Sequence, residues 1–143
     1  MSWLKRVFAP ADPAHIQAGK WGEEQAEQFL VKQGYRVLGR RVRVGAKDEL
    51  DLIVRRDGVL VFVEVKTRKG EDFGRPFSAV NKAKRQHLSR AAIHFLTRLK
   101  TAQRPAYFRF DVVEVVGEPG QAAPVIRHIE HAFTMEGGYR LPW

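Results

Sequence analysis

Asp51, Glu64 and Lys66 fall in the stretch "DELDLIVRRDGVLVFVEVKTR", residues 48–68, where a half-buried sheet would ordinarily carry apolar side chains. Asp57-Gly58 is a strong hairpin signal, with one apolar-rich strand before it and one after it. Strand alternation sends Glu49, Asp51 and Ile53 to one face, and Leu50, Leu52 and Val54 to the other. On the second strand Leu60, Phe62, Glu64 and Lys66 share a face, opposite Val61, Val63 and Val65. The hairpin brings Asp51 and Glu64 to the same side, near one end. Two buried carboxylates repel one another and resist ionisation. A divalent cation relieves both, and Mg²⁺ takes one or two carboxylates together with waters and phosphate oxygens. Asp51 and Glu64 are therefore candidate ligands for Mg²⁺ or Mn²⁺. Lys66 beside them could steady an attacking water or a developing negative charge. This set suits metal-assisted phosphodiester hydrolysis. Taken alone, Glu-x-Lys on a strand is more often an exposed ion pair. Here its surroundings, "LVFVEVK", are too apolar for an open edge.

The remaining elements must position that set. Residues 1–18 carry two prolines and little pattern, and read as a flexible N-terminal arm. Lys20–Gln33 reads as a helix with an apolar stripe of Trp21, Ala26, Phe29 and Leu30, stopped by Gly34. On it Glu23 is in phase with Ala26 and Leu30, whereas Glu24 and Glu27 fall on the polar side. An inward Glu23 is either a helix-dipole partner or a third acid of the site. Tyr35–Val44, Glu49–Arg55 and Val59–Thr67 read as strands, Lys82–Lys100 as a second helix, and Tyr107–Val116 and Val125–Phe133 as the last strands. The order α-β-β-β-α-β-β predicts an α/β fold, a central mixed sheet flanked by helices. The connection "EDFGRPFSAV" is placed to touch substrate, though its length also suits a plain link.

Charge supplies a second line of argument. The chain has 143 residues and a net charge of +9, with no cysteine. Zinc fingers of the cysteine type, disulfides and thiol nucleophiles are excluded. No acidic residue occurs from Phe73 to Phe110, while the remaining 16 basic residues balance the 16 acidic ones. A concentrated basic segment favours a polyanion, most commonly nucleic acid, over a merely solvated helix face. Lys82, Lys84, Arg85 and Arg90 on the second helix are the candidate contacts. Asp111, an acid inside the apolar strand "RFDVVEV", either supports the site or pairs with Arg109. The five histidines lack chelating spacing and read as structural or as phosphate contacts. The longest apolar run is too short to span a bilayer, so a soluble, cytoplasmic protein is expected.

With these residues in hand, the sequence resembles the bacterial YraN family of uncharacterised proteins. The matching stretches are "GKWGEEQAEQFLVKQGYRVL", "DELDLIVRRDGVLVFVEVKTR", "FGRPFSAVNKAKRQHLSRAAIHFL", "RFDVVEV" and "IRHIEHAF". That family looks like a branch of the restriction-endonuclease-like, PD-(D/E)xK superfamily, related to archaeal Holliday-junction resolvases. The resemblance implies a nuclease domain over residues 19–133, followed by a tail over 134–143. It maps metal-binding acids onto Asp51 and Glu64, the catalytic lysine onto Lys66, and the helical acid of the G-E-x-x-A pattern onto Glu23. Glu49 fills the acid of the G-E-I-D pattern as an auxiliary residue. Two departures stand out: Asp48 replaces a usual Gly, and Arg41 stands where Asn is frequent. Both bear on loop geometry more than on the core chemistry. The expected function is a Mg²⁺-dependent endonuclease on nucleic acid, DNA ahead of RNA, with branched or structured substrates in view. A homodimer is implied by the resolvase analogy only. The alternatives are a catalytically inactive nucleic-acid-binding module of the same fold, and a protein-interaction domain using the basic helix.

Overall fold

A computed structural model of the chain describes residues 13–70, 80–141 and 143. Its order is α1 (Pro13–Lys32), β1 (Arg36–Val44), β2 (Asp48–Arg56), β3 (Val59–Arg68), α2 (Lys82–Thr97), β4 (Tyr107–Val116) and β5 (Val125–Phe133). The fold is α/β, as expected: one five-stranded sheet in the order β1-β2-β3-β4-β5, flanked by two helices. Only β3 and β4 run parallel, with α2 as their crossover, and the other neighbours are antiparallel. Among the described residues, no helix is long and apolar enough to cross a membrane.

Turn chemistry sets the boundaries. Asp57 and Gly58 both take positive φ, 51° and 79°, as the tight turn joining β2 to β3 requires. Gly34 at φ 92° ends α1. The Tyr35 N–H donates to Leu30 O and the Gly34 N–H to Val31 O, a Schellman closure. Asn81 caps α2, its Oδ1 accepting the Lys84 N–H at 2.8 Å. The beginning of α1 corrects the sequence reading: residues 13–18, assigned to the arm, are helical. Proline is well suited to a first helical turn, because its missing N–H would lack an intrahelical partner there anyway. Residues 1–12 and the connection 71–79 lie outside the described residues.

Two apolar clusters cover the sheet. On one face Ala26 and Leu30 of α1 pack on Leu52, Val54, Val61, Val63, Val113 and Val115. On the other, Leu88, Ala91, Ala92 and Leu96 of α2 pack on Leu50, Ile53, Leu60, Phe62, Phe110 and Val112. This membership corrects the strict alternation expected of β2. Leu50 joins Ile53 on the α2 side, while Leu52 and Val54 face α1. The facing therefore reverses across Asp51 and Leu52, where the β2–β3 ladder also ends, its last pair being Leu52 with Val63.

Candidate active site

Where the ladder stops, the two carboxylates meet. Continued by one step, the register would set Asp51 opposite Glu64, but the backbones have parted. The Asp51 side chain takes over the vacated bond, its Oδ2 accepting the Val65 N–H at 2.9 Å. Glu64 leaves little of its side chain exposed, 11 %, and its Oε1 lies 3.5 Å from the Lys84 ammonium. Its Oε2 is buried with no hydrogen-bond partner among the described residues. Such a carboxylate oxygen is costly to bury, and the neighbouring Asp51 carboxyl is close enough to share a proton with Glu64.

The electrostatics agree with the geometry. Burial, reinforced by the Glu64 charge, pushes the Asp51 carboxyl from its ordinary 3.8 up to about 7. The Val65 N–H and the Lys84 charge oppose that rise without cancelling it. Glu64 is also pushed up by burial, against the pull of Lys84 and, more weakly, Lys66. Lys66 occupies the same face of β3 as Glu64, partly buried and within electrostatic reach of it. Glu114 lies abreast of Lys66 in the parallel register and is fully buried. Its nearest cations are Arg127 at 3.5 Å and Arg68 at 3.9 Å, and its Oε2 has no hydrogen-bond partner among the described residues. Sequence reasoning passed over Glu114, although a second acid in "FDVVEV" was the available signal.

Glu23 reaches the same region from α1, and it is held by Arg41, whose Nε lies 2.5 Å from Glu23 Oε2. Gly22 makes that approach feasible: α1 crosses so close to the end of β3 that a methyl group there would overlap Thr67 Oγ1. Glu27, expected on the polar side, takes the fork of Arg40 in an exposed ion pair. Its spacing of four from Glu23 was the missed sign that both address β1. A cavity of about 290 Å³ lies here, with Asp51, Glu23, Lys20 and Arg41 on its walls. Glu49 is exposed on β2.

Do these residues fit a metal ion? Two juxtaposed carboxylates, one with an orphaned oxygen and both made reluctant to ionise, match an incomplete Mg²⁺ shell awaiting water and phosphate oxygens. Among the described residues, no group of three or more His, Asp and Glu side chains gathers into a metal cage. The fit is thus with a two-carboxylate site rather than a closed protein cage.

Of the four basic-helix candidates, three engage carboxylates of the protein itself. Lys84 pairs with Glu64, Arg85 binds Glu136 at 2.9 Å, and Arg90 grips both oxygens of Asp48 at 2.7 and 2.8 Å. The Arg90 fork holds Asp48 below the usual carboxylate range and ties α2 to the start of β2. Lys82 is exposed. Asp111 belongs to a separate network facing α1. It accepts Arg109 Nε at 2.9 Å and lies 2.7 Å from His128 Nε2, and Arg109 also donates to Tyr35. The open choice for Asp111 is settled in favour of Arg109.

Comparison with known proteins places the chain in a family. The model of the uncharacterised protein family UPF0102 matches residues 22–115, from Gly22 through Glu114 to Val115. A UPF0102 protein of Symbiobacterium thermophilum is 47% identical over 118 residues, covering 82% of this chain and 96% of its own. Another from Caldicellulosiruptor saccharolyticus is 40% identical over 117 residues, covering 82% and 97%. A third, from Syntrophomonas wolfei, is 43% identical over 122 residues with the same coverage. The chain therefore belongs to the uncharacterised protein family UPF0102, the YraN family of the resemblance.

Proposed function

We propose that this protein is a metal-dependent endonuclease of the PD-(D/E)xK type, cleaving phosphodiester bonds of nucleic acid, DNA ahead of RNA. The observation that carries the reading is the pairing of Asp51 and Glu64 at the parting of β2 and β3, with Glu64 Oε2 orphaned and Lys66 on the same strand face. A magnesium or manganese ion held by Asp51 and Glu64 would supply Lewis acidity toward a phosphoryl oxygen and acidify a water. The protein's own part is positional and electrostatic. The Val65 N–H orients Asp51, and partial burial makes both carboxyls reluctant to ionise until a cation is present. Lys66, an ammonium with three donors, is placed to steady an attacking water or the charge that grows on the phosphate. Lys84, at the head of α2, balances Glu64 in the free protein and becomes available to a backbone phosphate once Glu64 is engaged elsewhere.

The test is cleavage of duplex, single-stranded and branched DNA with and without Mg²⁺, comparing wild type with Lys66→Ala. Mg²⁺-dependent cleavage by wild type, reduced by about 10²-fold or more in the variant, is expected. Binding of all three substrates with no cleavage of any would replace the enzyme by a binding module of the same fold.

A further inference from the structure

Arg40 and Arg41 are consecutive residues of a strand, so regular alternation would send them to opposite faces. Both instead reach α1, one helical turn apart, Arg40 to Glu27 and Arg41 to Glu23. The backbone explains this. Arg41 has φ 45°, a left-handed conformation uncommon for a residue with a side chain. The β1–β2 register slips just before it, between Val37 and Gly39. At Gly39 an added Cβ would lie 2.6 Å from Val42 Cγ2, so a larger residue there would force Val42 to shift. The pairs Arg40–Leu52 and Val42–Leu50 set Arg41 abreast of Asp51.

The distortion has a result a plain strand could not give. It brings a guanidinium onto the wall of the cavity that holds Asp51. Glu23 takes the Nε donor, one of the five N–H groups on this cation, and the side chain remains 45 % exposed. Lys66 and Lys84 address Glu64 from the α2 side. Arg41 addresses Asp51 from the α1 side, within electrostatic reach of Asp51 and Glu49 as well as Glu23. A phosphodiester entering beside two carboxylates meets repulsion unless cations offset it, and a planar guanidinium fork matches phosphate oxygens better than an ammonium.

We propose that Arg41 is a phosphate-binding residue of this site, holding a non-bridging oxygen of the nucleic-acid backbone beside Asp51, with Glu23 as the residue that positions it. This deepens the nuclease reading and rests on it for the substrate class. It also resolves Glu23: the acid acts through Arg41 rather than as a ligand.

The experiment has a binding arm and a cleavage arm. Binding of duplex DNA in Mn²⁺ is followed by fluorescence anisotropy across a salt titration, in the full chain carrying Lys66→Ala to suppress turnover. Adding Arg41→Asn, a residue that tolerates left-handed backbone, lowers the slope of log K against log salt by about 1, while Arg41→Lys preserves it. In the wild-type background Arg41→Asn lowers kcat/KM by roughly 10²-fold and Arg41→Lys recovers part of it. Glu23→Gln lowers kcat without weakening DNA binding, which separates misplacement of Arg41 from loss of its charge. The Mn²⁺-induced rise in Tm stays the same in all three variants. A salt slope and a cleavage rate both unchanged in Arg41→Asn overturn the proposal and leave the nuclease reading intact. A slope that drops by about 1 while no form of the protein cleaves DNA sustains the Arg41 contact and removes the nuclease reading.

Discussion

Asp51 accepts the Val65 backbone N–H at 2.9 Å across the point where β2 and β3 separate. A side chain thus completes a bond that the strand ladder abandons. The same parting leaves the Asp51 and Glu64 carboxylates close together and partly buried.

Asp51 should make the metal-free protein less stable as pH rises. Its pKa is about 7 folded and near 3.8 unfolded, so between these values the folded state holds more protons. Stability is therefore greatest on the acid side of that window and declines up to about pH 7, and Glu64 acts in the same direction. Asp51→Asn keeps an acceptor for the Val65 N–H and removes the charge. It should raise Tm by roughly 5 °C at pH 8 and change it little at pH 4. Equal effects at the two pH values would contradict the burial of this carboxyl.

Divalent cations should reverse that penalty. Mn²⁺ or Mg²⁺ at pH 8 is expected to raise Tm, by an amount set by binding to the folded state alone, about 2.7 kcal/mol at one hundred times Kd. Glu64→Gln and Asp51→Asn should each abolish most of the rise. Calorimetry with the metal alone provides the check, and a shift of wild-type size in both variants would place the cation elsewhere.

Lys84 sits 3.5 Å from Glu64 and must be repelled by any cation that arrives there. Lys84→Met should tighten Mn²⁺ binding by roughly several-fold while weakening DNA binding. Weaker Mn²⁺ binding in this variant would mean that Lys84 supports the site in some other way.

Gly22 lets α1 lie against the end of β3. Gly22→Ala should cost about 1–3 kcal/mol through overlap with Thr67. Thr67→Ala in the same chain should recover part of the loss, since the first atom struck is Thr67 Oγ1. Chemical denaturation of the two variants and the wild type reads this directly.

Asp111 is expected to carry stability and not catalysis. Burial opposes its charge, but hydrogen bonds from His128 and Arg109 hold it below the usual carboxylate range. Its contribution is present above the ordinary carboxylate pKa and is lost as pH falls through the lower folded value. Asp111→Ala should destabilise by about 3–5 kcal/mol at pH 7 and by less at pH 3. A loss that did not diminish in acid would assign Asp111 a purely steric role.

Local chemistry was enough to read most of the scaffold from the chain. The Asp57-Gly58 turn, the Gly34 stop and the spacing of Leu88, Ala92 and Leu96 each state a periodicity or a backbone requirement within a few residues. That Asp51 lies level with Glu64 followed from the hairpin, because two strands and a short turn leave little freedom of register. What sequence could not supply was the outcome of packing between distant segments. The facing of Leu50 reversed because β2 stops pairing with β3 at Leu52. Arg40 and Arg41 reached the same helix because β1 is distorted by a register shift and a positive φ. The basic helix met carboxylates from β2, β3 and the C-terminal segment, so charges that seemed open to an outside polyanion are partly matched within the protein. Turns and periodicities are decided by near neighbours along the chain. Which charge meets which depends on the summed twist and spacing of five strands and two helices, and only the folded whole determines that.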